Sequence, residues 1–307
     1  MVVRASCFVI LSSLGISLFV IAYRAWRPEV ALSILIFSMC QTIVSAQGSS
    51  PDDTSPRKVV VALVQFDTVP EAIERNLVEM ERLARSAVDR GARWIQFHEG
   101  CVSDYTPQIK TLAEPVPEGN STQSMIKLAA ELDCYISFGL NERSDDRFYI
   151  SQVFVAPQGL VHCYRKTWLF RTDEDKGYRN ELARYDPGPG PGLFEIDGVR
   201  AACFICADAN SPRCIERLRD LHPQVVFHPN NHINPSPEAD WETKRQRAKE
   251  IGAPVLVSNR VGHSWTYQCE GGCGVISAAG ELLAHSNTDG KEEILIYELD
   301  IPRPSFP

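Results

Sequence analysis

From Val59 onward the chain alternates short, almost wholly apolar runs with segments whose apolar residues recur every three or four positions. The run "VVVALVQF" at 59–66 is too apolar for a strand with one wet face, so it predicts a strand in a sheet covered on both sides. After Pro70, residues Ile73, Leu77, Met80, Ala84 and Ala87 fall on one helical face and Gly91 follows, which predicts an amphipathic helix. "RWIQFHEG" reads as a second buried strand reaching a loop at Glu99. A helix over Ser124–Leu132 and strands at "YISFGL", "SQVFVAP" and "LVHCYRK" continue the pattern. Beyond the loop "RTDEDKGYRNELARYDPGPGPG" come strands at "LFEI" and "RAACFIC", and a short helix over Pro212–Leu221. The strand "QVVFHP", a helix over Trp241–Ile251 and the strands "PVLVSN", "GVISA" and "ILIYELD" complete the order. Such alternation predicts one α/β domain over 59–307 with an antiparallel portion late in the chain. A polar Pro/Ser/Asp linker at 47–58 precedes it.

The N-terminal segment has a different texture. Ala5 to Tyr23 is a 19-residue uncharged stretch flanked by Arg4 on one side and by Arg24 and Arg27 on the other, long enough to span a bilayer. A second apolar run ends in "TIVSAQGSS", where Val44 and Ala46 fit a signal-peptidase site. Residues 1–46 therefore read as a signal peptide or a membrane anchor. The expected location is outside the cytoplasm, with the membrane touched through this segment alone.

Composition narrows the partners. The chain of 307 residues is 44% apolar, enough for a full core, and its net charge is -8. Beyond Ala46 the remainder carries 28 basic and 38 acidic residues. No dense Lys/Arg block exists, so nucleic acid is not an expected partner and a small molecule is. Of ten cysteines, eight lie beyond Ala46, several within strand-like apolar runs that suit buried thiols. Cys269 and Cys273, across the glycine-rich "CEGGCG", are the pair best placed for a bridge.

Three reactive groups end apolar strands: Glu99 after "WIQFH", Lys166 after "LVHCYR" and Cys206 after "RAACFI". Strand ends of an α/β sheet are where clefts form. A cysteine attacks a carbonyl as thiolate, a form favoured by a nearby base and a nearby cation. Glu99 supplies the first and Lys166 the second. The spacing of Cys203 and Cys206 also admits a redox pair or, with Cys269 and Cys273, a metal site, though "CFIC" lies in a strand-like run rather than at a helix start. By strand alternation Cys203 should face the opposite side from Cys206 and pack in the core.

The ordered segments "VALVQFD", "FHEG", "YRKTWLF", "ELARYDPG", "FICADANSP" and "RAKEIGAPVLVSNRVG", spread over nearly all of 58–301, resemble the blocks of the carbon-nitrogen hydrolase (nitrilase) superfamily. The resemblance implies a four-layer α-β-β-α sandwich, a homodimer or larger assembly, and no metal, flavin or nucleotide cofactor. It implies a Glu99–Lys166–Cys206 triad, with Glu181 as a second glutamate and Glu174 as the alternative. The oxyanion would lie between Lys166 and the backbone N–H of Ala207. Ala207, Asp208, His228 and Asn230 are expected to meet substrate, and Asn259 and Arg260 to position the nucleophile loop. Trp241, Arg247 and Glu250 read as a packing and salt-bridging helix face, and His98 as a packed or surface residue.

The chain departs from the family pattern at Trp168, where a histidine is common, and at "CADANSPR", which replaces an aromatic and Arg-Phe-Pro-Glu pattern. Nitrilases proper tend to have Trp-Glu after the cysteine. Ala207 and Asp208 therefore favour amide or N-carbamoyl substrates over nitriles. An acyltransferase of the same chemistry, or a silent binding module on the same scaffold, are the other function classes.

Overall fold

The computed structural model describes residues 56–173, 178–233 and 237–302. The apolar segment 1–46 and Glu174 lie outside the described residues, and within them no helix is long and apolar enough to cross a membrane.

The run at 59–66 is apolar at every position but Gln65 because its two faces meet different cores. The strand β1 (Arg57–Gln65) sends Val59, Val61 and Leu63 into one hydrophobic cluster, while Ala62, Val64 and the following Phe66 enter another. It starts inside the stretch read as linker, since Arg57 and Lys58 extend an antiparallel ladder to Ile301 and Asp300. Beside β1 lie β2 (Trp94–Gln96) and β3 (Tyr135–Ser144), all three parallel. Antiparallel β4 (Arg147–Ala156) and β5 (Gly159–Arg165) close one edge and β14 (Glu293–Ile301) the other.

A second six-stranded sheet repeats the design. Its parallel centre is β7 (Val199–Cys203), β8 (Val225–Pro229) and β9 (Val255–Ser258). Antiparallel β6 (Phe194–Ile196) flanks it on one side, and β12 (Gly274–Ile276) with β13 (Leu282–His285) on the other. Between the sheets, Trp94, Phe154, Cys203, Phe227 and Leu256 share a core. The outer face of the first sheet is covered by α1 (Ile73–Asp89) and α3 (Asn120–Leu132), and that of the second by α4 (Pro212–Leu221) and α5 (Pro237–Ile251). Four layers result, α-β-β-α.

Periodicity located α1, and Pro212 at the first turn located α4, where Ser211 accepts a hydrogen bond from the backbone N–H of Cys214. It did not mark the short α2 (Ile109–Leu112), β13, or the hairpin of β10 (Val261–Ser264) and β11 (Tyr267–Glu270). These carry too few consecutive apolar positions to show a period. All eight cysteines among the described residues are free thiols. The expected Cys269–Cys273 pairing is thus not made: Cys269 sits on β11, whereas the backbone N–H of Cys273 is tied to Ser286 at the second sheet.

One glycine decides where the site can form. A Cβ on Gly139 of β3 would stand 2.2 Å from Gly100 N and 2.9 Å from the Cα of Glu99. Gly139→Ala must therefore push the Glu99 loop away, at a cost of about 1–3 kcal/mol for overpacking. Thermal unfolding is expected to show that loss, and turnover to fall by more than the unfolded fraction explains.

Candidate active site

The chain folds so that three loops deliver charge to one buried point. Lys166 follows the end of β5, and its Nζ donates to Glu99 Oε1 and to Glu181 Oε1, each at 2.7 Å, with all three side chains buried. Glu99 comes from the loop after β2 and Glu181 from a single 3-10 turn, Glu181–Ala183. Burial works against the Lys166 charge, but Glu181 and Glu99 outweigh it and hold the ammonium well above its ordinary pKa. For Glu99, burial and then the Glu181 charge outweigh Lys166, raising the carboxyl to about 7. Glu99 Oε2 is buried with no hydrogen-bond partner among the described residues.

Tyr105 belongs to this cluster, which sequence reasoning missed. Its hydroxyl lies 3.0 Å from Glu99 Oε1 and 2.9 Å from Glu181 Oε1. A lone tyrosine in a loop six residues beyond Glu99 carries no pattern that would single it out. Glu181 is further held by the backbone N–H of Phe170, donating to Oε2 at 2.7 Å.

Cys206 stands on a turn of another kind. The strand β7 ends at Cys203, and Cys206 opens a 3-10 turn, Cys206–Asn210, with φ of +42°. This is left-handed backbone that costs a non-glycine residue roughly 1–3 kcal/mol. Strand alternation consequently stops short of Cys206. Cys203 is in the core as expected, but Cys206 packs at the border of the same inter-sheet cluster rather than on the opposite face.

The turn is locked by Asp208. Its Oδ2 accepts from the backbone N–H of Ile205 at 2.9 Å and the Tyr164 hydroxyl at 2.7 Å; its Oδ1 accepts from the N–H groups of Thr167 and Trp168, at 3.0 and 2.6 Å. The expected substrate contact for Asp208 is therefore corrected. The residue is fully buried, its oxygens are occupied by protein donors, and it joins the cysteine turn to the lysine loop. Arg247 also fixes this turn, donating to the Ala209 carbonyl at 2.7 Å, and pairs with Glu250 at 2.6 Å.

A cavity of about 290 Å³ opens onto Cys206 and Glu181. Ala207, His228 and Asn230 line it, together with Tyr105, Asn231 and Arg179. His228 stacks on Phe204 at 4.0 Å, and burial lowers its pKa to about 3, so the ring is neutral near pH 7. Burial, then the Glu99 charge, push the Cys206 thiol up, against the opposing pull of Lys166 and of a hydrogen bond from the backbone N–H of Asn231. Burial thus favours the thiol over the thiolate that a neighbouring ammonium alone would give.

Arg260 acts at one remove. Fully buried, it pairs with Asp104 at 2.5 Å, and Asp104 accepts from the Asn231 side chain at 2.8 Å. Asn259 bonds both the N–H and the carbonyl of His232, each at 3.2 Å. Both residues hold the loop that touches the cysteine. His98 is buried, 3.0 Å from Thr68 Oγ1 on one side and 2.9 Å from the Glu99 carbonyl on the other.

The family model for carbon-nitrogen hydrolases matches residues 60–303, nearly the whole described chain. The chain belongs to the carbon-nitrogen hydrolase family. A nitrilase of Pyrococcus abyssi is 28% identical over 251 residues, covering 79% of this hydrolase and 90% of that protein. An (R)-stereoselective amidase of a Pseudomonas species is 27% identical over 194 residues, covering 63% and 68%. Among solved structures, an amidase from a Nesterenkonia species superposes with a TM-score of 0.69 at 18% identity, covering 80% of this chain and 91% of that one. That likeness speaks for the fold. The hydrolase therefore acts on C–N bonds other than peptide bonds, within the amidase and nitrilase group.

Replacing Asp208 tests the lock. Asp208→Ala strands buried N–H donors at about 1–3 kcal/mol each and frees a strained turn. Thermal unfolding is expected to show the loss, with kcat falling further than KM rises. An unchanged kcat in folded protein would mean the turn holds without the carboxylate.

Proposed function

We propose that this hydrolase cleaves a small linear amide or N-carbamoyl compound through a thioester on Cys206. The observation that carries the reading is the buried Glu99–Lys166–Glu181 cluster beside a cavity into which Cys206 opens. Because the resting sulfur is a thiol, its proton must leave as the S–C bond forms, and Glu99 Oε2 is the oxygen free to take it. The tetrahedral oxygen is stabilised by the third N–H of Lys166, whose other two serve the glutamates, and by the Ala207 N–H. Glu99 then returns the proton to the departing nitrogen as the C–N bond breaks. Water gives a proton to Glu99 and attacks the thioester; the C–S bond breaks, the sulfur recovers the proton, and the acid leaves. Glu181 keeps Lys166 charged and aimed.

His228 and Asn230 are assigned to the substrate wall in this reading. Amides are favoured over nitriles by Ala207 and Asp208 following the cysteine. The uncharged stretch 5–23 motivates export or anchoring, tested by N-terminal sequencing of protein from membrane and extracellular fractions. A homodimer or larger assembly is part of the same proposal, and sedimentation of the purified protein tests it.

A screen of aliphatic amides, carbamoyl amino acids and nitriles should give ammonia with the wild type and none with Cys206→Ala. Product formed only with an added amine would instead make it an acyltransferase. Glu99 must be ionised to accept the proton, so kcat/KM is expected to fall as pH drops through about 7. Glu181→Gln removes a charge that raises Glu99, so the acid limb should move to lower pH. A limb that stays in place would take Glu99 out of the base role.

A further inference from the structure

The cavity wall carries a cation that the chemistry above does not use. Arg179 lines the same cavity as Cys206 and Glu181, two residues before that glutamate in sequence. Its guanidinium lies 5.3 Å from the ring centre of Phe170 and 5.1 Å from that of Tyr267, within range of cation-π attraction. Neighbouring contacts fix the segment. Tyr178 meets Trp265 edge to face at 4.8 Å, Trp265 Nε1 donates to the Tyr105 carbonyl at 2.7 Å, and Glu181 is held by Lys166.

The other cations described on or beside this cavity have carboxylates. Lys166 has Glu99 and Glu181, and Lys244 has Asp240, which His232 also meets at 3.3 Å. No carboxylate among the described residues pairs with Arg179. Among the described residues its guanidinium meets the Phe170 and Tyr267 rings, which leave its N–H groups for a further partner. A planar, permanently charged fork held in place beside a reaction cavity matches a planar anion.

We propose that Arg179 binds a carboxylate on the substrate, so that the hydrolase acts on amides that carry an acid group at the end away from the scissile bond. The inference rests on the hydrolase reading and adds the substrate class. The carboxylate is the part that does not react; binding it orients the amide toward Cys206 without new chemistry. The cavity of about 290 Å³ restricts this to short chains.

The test compares glutaramate with pentanamide, which have the same chain length with and without the acid. Wild type is expected to favour glutaramate in kcat/KM. Arg179→Gln should collapse the ratio by on the order of 10- to 100-fold, chiefly through KM for glutaramate, the effect of losing a charge-assisted bond. Arg179→Lys, which keeps the charge without the fork, should recover part of it. A wild type without preference, or a ratio unchanged in both variants, overturns the assignment.

If wild type turns over neither compound, the hydrolase reading fails for short amides, and the Arg179 assignment is read separately by calorimetry with glutarate. Cys206→Ala protein should bind glutarate and Cys206→Ala/Arg179→Gln should not. Equal binding, or none to either, overturns it.

Discussion

One ammonium, taken out of water and placed between two carboxylates, organises this molecule. Lys166 has no exposed surface, and its charge is tolerable there only because Glu99 and Glu181 each reach it at 2.7 Å. The three residues come from separate loops, so the interaction is also a joint. Removing Lys166 would leave two buried carboxylates without their cation, which typically costs about 3–5 kcal/mol, whereas removing either glutamate still leaves Lys166 paired with the other. The cluster therefore constrains the fold as strongly as it shapes the chemistry.

The same charges act on the Cys206 sulfur. Burial first, and then the Glu181 charge, raise the Glu99 carboxyl to about 7 against the pull of Lys166. Glu99 in turn opposes ionisation of Cys206, as does burial. In the proposed chemistry, sulfur and carboxylate exchange a proton during reaction rather than before it. The geometry for this comes from Asp208, whose oxygens bind the cysteine turn and the lysine loop, and from the Arg260–Asp104–Asn231 chain, which holds the cavity wall against the sulfur.

Much of the framework was legible along the chain. The apolar runs at 59–64 and 201–205 come from segments whose two faces are both dry, and the spacing from Ile73 to Ala87 comes from a helix with one dry face. Elements with a weak apolar signal, such as the Val261–Glu270 hairpin, were not legible, although Tyr267 and Trp265 on that hairpin brace the cavity. Glu99, Lys166 and Cys206 announce themselves as charged or nucleophilic groups at strand ends. Tyr105 and Arg179 do not, since a tyrosine or an arginine in a loop is ordinary until its neighbours are known.

Local patterning by itself determined which segments are strands or helices, that both sheets are covered, and which reactive side chains stand at strand ends, because periodicity and side-chain chemistry are properties of consecutive residues. It could not decide what those side chains meet. Asp208 looked like a substrate contact and is a lock; Cys206 looked like a strand residue facing away from Cys203 and is a strained turn beside the same core. The lock on Asp208 depends on donors 40 to 44 positions away, and burial, hydrogen-bond satisfaction and electrostatic shifts exist only once folding has brought such positions within a few ångströms.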